Sequence, residues 1–169
     1  TEILDKAGAS YAASYDPRKT GKVTSVKDQG NYGLCWAYAA IATAESSMIA
    51  AGLANNTLDL SELHAAYFTF KNSRFTNFLE FCNNGWDPDD VFELMKNGVG
   101  PVNESLVPMP STITANTTVD DTYRTQHLAT LENIYATKVA INNKDKIKQN
   151  ILNYGGVQLN YYSVGASTI

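Results

Sequence analysis

Only two cysteines, Cys35 and Cys82, occur in the 169 residues. A small secreted scaffold built on disulfides carries more, so that class is excluded. Long apolar runs are also missing. The longest, around Leu34–Ile41, falls far short of the roughly 18 residues that span a bilayer. The 13 Lys and Arg are scattered through a chain of net charge −4. There is no basic stripe for nucleic acid and no polybasic run for a membrane surface. No nucleic-acid partner and no membrane insertion are therefore expected. No leader pattern opens the chain, since Thr1 begins a polar stretch, which excludes nothing for a processed product.

What is present reads as globular. Apolar residues make up 44% and charged residues 18%, unlike a disordered chain. The length suits one domain of roughly 100–200 residues, with enough chain to bury a sizeable core. Asn-x-Ser/Thr triplets at Asn55, Asn103 and Asn116 carry little weight, because an Asn- and Thr-rich chain produces them by chance.

Residues 1–20 read as irregular, and Val23–Val26 as a short edge strand. An Ala-rich helix runs from Cys35 to Ala51, with Gly52 just past its end. Its apolar residues wrap most of the circumference, as in a buried helix. Ser61 caps a second helix that reaches about Lys71. Asp87-Pro88-Asp89-Asp90 starts a third, with Asp87 as cap and Pro88 in the first turn, and Gly98 stops it. These acids lack calcium-ligand spacing, so capping is the better reading. Residues 100–122, rich in Pro, Thr, Ser and Asn without a period, predict a long surface loop. Leu131–Ile141 alternates as a strand does. Lys144–Tyr154 is a short amphipathic helix with Ile147, Ile151 and Leu152 on one face. Gly155-Gly156 ends it, and Val157–Ser163 alternates again. Helices first and strands later predict an α+β fold.

Cys35 stands where a Gly-rich loop enters a helix. A helix N-terminus leaves N–H groups unpaired and carries partial positive charge. A thiol there deprotonates more easily, and the thiolate is the nucleophile. Gln29, six residues earlier, has an amide able to donate to a developing oxyanion together with the Cys35 N–H. Gly30 and Gly33 let a substrate chain approach the backbone. Taken alone, Cys35 is better read as a buried structural cysteine. With Gln29, Gly33 and Trp36 at these spacings, the nucleophile is the better reading.

The stretch Gln29-Gly30-Asn31-Tyr32-Gly33-Leu34-Cys35-Trp36 closely resembles the active-site segment of the papain-like cysteine peptidases, Gln-Gly-x-Cys-Gly-Ser-Cys-Trp. Val26-Lys27-Asp28 precedes it in the family's manner. Leu60-Ser61-Glu62 resembles the family's Leu-Ser-Glu, and Cys82-Asn83-Asn84-Gly85-Trp86 its Cys-Asn-Gly-Gly-aromatic segment. Ile147 to Tyr162 resembles the following helix and strand. The resemblance covers most of residues 15–163. It implies a papain-like fold, of which this chain supplies the mainly helical half and the first strands of the β-rich half. It implies Cys35 as nucleophile and Gln29 as oxyanion donor. Gly33, Asn84, Gly85 and Trp86 would line the substrate cleft, with Asn160 near the pocket for the second residue before the cleaved bond. No metal or cofactor is implied.

Two departures matter. In the family, the cysteine at the position of Tyr32 pairs with the one matched by Cys82, so Cys82 is expected to be a free thiol. Asn84 replaces a glycine and would narrow the cleft. A cysteine peptidase also needs an imidazole and a group to orient it. His64 reads as a helix-face residue, and His127 precedes the Leu131 strand. The family's histidine follows the strand matched by Val157–Ser163, roughly 130–150 residues beyond the cysteine, at or past Ile169. Residues 1–169 are thus expected to form an incomplete peptidase domain. The preferred reading is a two-chain enzyme whose His and Asn lie on a second processed polypeptide, or a longer domain of which this is the leading part. The alternative is a non-catalytic peptide-binding or cell-surface module. Few disulfides in such a family suggest a secreted or cell-surface protein of a bacterium or archaeon.

Overall fold

The computed structural model describes residues 11–128, 139–140 and 142–159. At its centre lies helix α1, Cys35–Ala50. Small side chains let neighbours approach it closely, and Trp36, Ala37, Ala40, Ile41, Glu45 and Ser46 are buried. Ala51 caps it and Gly52 follows at φ 73°, as its composition predicts.

Helix α2, Glu62–Lys71, packs on α1. The Ser61 hydroxyl accepts from the His64 N–H at 3.0 Å and donates to the Val107 carbonyl at 2.6 Å. One side chain therefore starts a helix and anchors a distant segment. Helix α3, Phe78–Asn84, is not anticipated from the sequence. Asn77 starts it by accepting from the Glu80 N–H at 3.1 Å. Helix α4, Pro88–Lys96, begins as expected, with Asp87 accepting from the Asp89 N–H at 3.0 Å. It lies against both α1 and α2. Helix α5, Lys144–Tyr154, docks on α1. There the Ser47 hydroxyl donates to the Tyr154 carbonyl at 3.0 Å. Ile147 and Ile151 of its apolar face are half-buried, but Leu152 is 49% exposed.

Between α2 and α3 lies an aromatic cluster. Phe81 meets Trp36 edge-on at 5.6 Å and packs against Phe70, Phe75 and Trp86. Burying a side chain of this size contributes about 1.5–3 kcal/mol, and Phe68, Phe78 and Phe81 are all almost fully buried.

Residues 100–122 correct the sequence reading. Apart from the start of a 3-10 turn, Asp121–Arg124, the segment has no helix or strand, but it is a strap set into the core rather than a surface loop. Val102, Val107, Ile113 and Val119 are buried. Leu60 and Asn103 form an isolated antiparallel bridge, and the Ser61 N–H donates to the Val102 carbonyl at 2.9 Å. Val23–Val26 forms no strand either. Thr24 and Lys27 instead tie that segment to Glu45 through their side chains, and Val26 is 94% exposed. Among the described residues there is no named strand. The Leu131–Ile141 reading falls largely outside them, and Val157–Leu159 is irregular. The helical side of the predicted α+β architecture is what the described residues contain.

Candidate active site

The loop before α1 closes on itself. The Asp28 carboxylate accepts from the Gly30 N–H at 2.8 Å, and Gln29 Nε2 donates to the Tyr32 carbonyl at 2.8 Å. Gly30 sits at φ 64°, a left-handed turn that favours glycine. The chain then enters α1 through Leu34, which offers no side-chain cap. Cys35 is the first helical residue; its thiol is free and exposed. Leu34 and Trp36, on either side of it, are buried.

Gly33 brings a second segment alongside. A Cβ there would lie 2.9 Å from the Gly85 nitrogen and 3.0 Å from the Cys82 carbonyl oxygen. Gly85 adopts φ 70° and ψ 161°, a region essentially confined to glycine. The structure thus places the end of α3 directly against the loop that presents Cys35.

Asn84, Trp86 and Asn160 are the remaining cleft candidates. Asn84 is exposed and donates back to the Glu80 carbonyl at 2.9 Å. Trp86 is half-buried against Phe75 and Phe81, with its indole N–H bonded to Asp90. It also lines a cleft of about 330 Å³ beside α4 with Thr69, Asn72, Leu94 and Arg124. Asn160 lies outside the described residues.

Cys82 is free and fully buried, and burial pushes its thiol up to about 12. Tyr32, at the position of its family partner, points its hydroxyl at the Ile113 N–H and accepts from it at 2.8 Å.

His64 is 1% exposed, because the helix face that carries it packs into the core. Its Nε2 lies 3.0 Å from the Tyr123 carbonyl. Burial lowers its pKa, outweighing that hydrogen bond. Gly100 seals the ring from the other side: a Cβ there would be 2.3 Å from His64 Cε1. His127 is exposed beside Leu128, whose N–H donates to the Pro101 carbonyl at 2.9 Å.

Beneath the loop lies a charge cluster that sequence reasoning missed. Lys27 Nζ lies 3.1 Å from Glu45, 2.8 Å from Glu62 and 2.7 Å from Asp59, and donates to the Leu60 carbonyl at 2.8 Å. Burial alone would lower the Lys27 pKa, but the hydrogen bonds to Asp59 and Glu62 outweigh it and raise the value. Three carboxylates share one ammonium, and the buried Glu62 carboxyl is pushed up to about 7 by burial, against the Lys27 hydrogen bond. The only sequence signal was a lysine flanked by Val26 and Asp28. No group of three or more His, Cys, Asp or Glu suited to hold a metal ion occurs among the described residues.

The sequence profile described as papain family cysteine protease matches residues 11–167. Cysteine proteinase 1 of Entamoeba histolytica is 32% identical over 162 residues, covering 90% of this chain and 47% of that protein. Vignain of Vigna mungo is 35% identical over 108 residues, 64% of this chain and 27% of that protein. A viral cathepsin of Spodoptera litura multicapsid nucleopolyhedrovirus is 51% identical over 63 residues, 36% of this chain and 18% of its own. The chain spans about half the length of the first of these relatives and less of the others. The match over nearly the whole chain, together with the exposed cysteine at the head of α1, shows that this chain belongs to the papain family of cysteine proteases.

Proposed function

We propose that the protein hydrolyses peptide bonds through a Cys35 thioester and that these 169 residues carry the nucleophile half of its site. One observation carries the reading. An exposed free thiol opens an uncapped helix, and the Gln29 amide is tied into the loop beside it. Cys35 Sγ attacks the carbonyl carbon, and the carbonyl oxygen takes the negative charge. The Cys35 N–H and Gln29 Nε2 donate to that oxyanion. Collapse of the intermediate releases the amine, which takes a proton from a general acid. Water then cleaves the thioester and restores the thiol. In this reading the Gly85 main chain binds an extended peptide, supported by its close approach to Gly33 in the Cys35 loop, with Asn84 and Trp86 as its neighbours in sequence.

The acid and base in this scheme is an imidazole that neither His64 nor His127 supplies. His64 is sealed in the core, and no described contact joins His127 to the Cys35 loop. We assign the histidine and its asparagine partner to polypeptide outside these 169 residues. The relatives are markedly longer chains, which favours continuous sequence over a separately processed chain.

Mass spectrometry under denaturing conditions tests this, on natively purified protein briefly treated with iodoacetamide at about pH 5.5. An ordinary cysteine, with a pKa near 8.5, barely reacts there. Alkylation confined to Cys35 supports a peptidase with imidazole in place, and the mass found tells one chain from two. A Cys35 left unmodified at full chain length overturns the reading in favour of a peptide-binding module.

A further inference from the structure

The loop that leads to Cys35 hangs on one tyrosine. The Tyr32 carbonyl accepts from Gln29 Nε2 at 2.8 Å, and its hydroxyl accepts from the Ile113 N–H at 2.8 Å. Ile113 is 2% exposed and lies on the strap, far along the sequence. The main-chain end of Tyr32 therefore holds the candidate oxyanion donor, and its side-chain end is bolted to the core.

We propose that Tyr32 is a positioning residue for the oxyanion hole. It fixes Gln29 by clamping the glycine-flanked loop to the strap at Ile113. The proposal rests on the peptidase reading above.

The chemistry favours this arrangement. A glutamine amide carries two N–H donors. Spending one on the Tyr32 carbonyl sets the plane of the amide and leaves the other for the oxyanion. That works only if the Tyr32 carbonyl stays in place, since catalytic donors must be held to within about 0.5 Å. The loop is poorly suited to hold itself. Gly30 and Gly33 flank the tyrosine, and glycine loses more conformational freedom on ordering than any other residue. Gly33 is wedged against Gly85 and Cys82, which fixes the exit of the loop. The hydroxyl bond to Ile113 fixes its middle. Without that hydroxyl a buried N–H is left unmet, and the carbonyl that orients Gln29 is free to drift.

The test is steady-state kinetics on the full-length enzyme with Tyr32→Phe, Gln29→Ala and the double variant. Gln29→Ala is expected to lower kcat by about 10²-fold or more, as removal of an oxyanion donor does. Tyr32→Phe is expected to lower kcat by about tenfold with KM within about twofold, because a misplaced donor loses part of what a missing one loses. The double variant should be no slower than Gln29→Ala alone. Full kcat in Tyr32→Phe, or losses that multiply in the double variant, would overturn the proposal. Ser61→Ala supplies the structural control. It frees the strap at Val107 without touching Tyr32, and should lower the thermal midpoint while leaving kcat unchanged. A kcat loss in Ser61→Ala equal to that of Tyr32→Phe would assign the effect to strap docking in general and sink the proposal. If the wild-type enzyme is inactive, the peptidase reading fails on its own, and NMR of the Gln29 side-chain amide still decides the positioning. Its protons should exchange faster in Tyr32→Phe than in wild type, and equal exchange would overturn the clamp.

Discussion

The amide nitrogen of Gly85 lies 2.9 Å from the point that a side-chain carbon on Gly33 would occupy. The carbonyl oxygens of Cys82 and Asn83 crowd the same point at 3.0 and 3.2 Å. Two segments fifty residues apart in sequence thus meet backbone to backbone, and backbone cannot move aside as a side chain can. Gly33→Ala is expected to cost about 1–3 kcal/mol, the range for forcing an extra carbon into a packed site. It should also lower kcat/KM, because it pushes Gly85 away from the Cys35 loop. Gly30→Ala is the contrast, since nothing lies within 4 Å of its added carbon and only the left-handed φ of 64° opposes it. That costs about 1–2 kcal/mol. Urea denaturation and turnover of both variants check this, and equal kcat/KM for the two would refute the contact.

Among the described residues, Lys27 is the cation that pairs with two carboxylates that have left water. Glu45 is 1% and Glu62 3% exposed. Removing one partner of a buried charge group costs about 3–5 kcal/mol, because the remaining charges stay buried and uncompensated. Lys27→Met should therefore destabilise the fold by an amount in that range and loosen the attachment of the segment before Gln29. The Lys96–Glu93 pair spans a similar 3.1 Å but is more than half exposed on both sides. Lys96→Met should cost under about 1 kcal/mol. Chemical denaturation of the two variants side by side is the check, and similar midpoints would mean the Lys27 cluster is solvated.

The same cluster sets a pH dependence. An unfolded glutamate titrates near 4.3, while burial pushes folded Glu62 up to about 7. Between those values the native state binds more protons than the unfolded one, so stability falls as pH rises. The contribution is complete below about pH 4 and lost as pH passes through about 7. Buried His64 acts in the opposite sense. Its lowered pKa gives stability present above the ordinary histidine range and lost as pH falls below it. The difference between wild type and Glu62→Gln isolates the first effect. From pH 5 to 8 the wild type should lose on the order of 2 kcal/mol relative to Glu62→Gln. Parallel stability curves over that range would show that Glu62 is ionised throughout.

How far these features were legible in the sequence depends on the interaction that makes each one. Helices α1, α2, α4 and α5 announce themselves through local chemistry: Ser61, the Asp87-Pro88 pair, and the glycines at 52, 98 and 155. Asn77 is a cap of the same kind, but α3 has only seven residues and no room for a period. The strap at 100–122 misled for a different reason. Val102, Val107, Ile113 and Val119 are buried at irregular intervals, because an irregular backbone turns its side chains inward wherever the path allows. Periodicity carries no information there. Val23–Val26 alternates as a strand would, but alternation does not supply a partner strand. At the site, the resemblance singled out Cys35, Gln29 and Gly85 by motif, whereas the contacts of Tyr32 and Lys27 are long-range and leave no local pattern. A bacterial or archaeal source, inferred from scarce disulfides, gains no support from relatives in an amoeba, a plant and an insect virus.

The two thiols should behave as different reagents. Cys35 is exposed, whereas Cys82 is fully buried with its thiol pushed up to about 12. Native protein treated with iodoacetamide at pH 8 should take one label, on Cys35, and protein in urea should take two. The resemblance implies a disulfide partner for Cys82 at position 32, where this chain has Tyr32 hydrogen-bonded to the Ile113 N–H. The next residue, Gly33, lies so near the Cys82 backbone that a Cβ on it would be 3.0 Å from the Cys82 carbonyl oxygen. Tyr32→Cys should therefore form a disulfide with Cys82 under mild oxidation, leaving Cys35 as the one titratable thiol of three. Because a cross-link constrains the unfolded chain, the oxidised variant should gain about 2–4 kcal/mol over its reduced form. Thiol titration before and after oxidation, followed by peptide mapping, reads the outcome. Three free thiols after oxidation, or a bond to Cys35, would show that the segments at 32 and 82 do not lie as the structure places them.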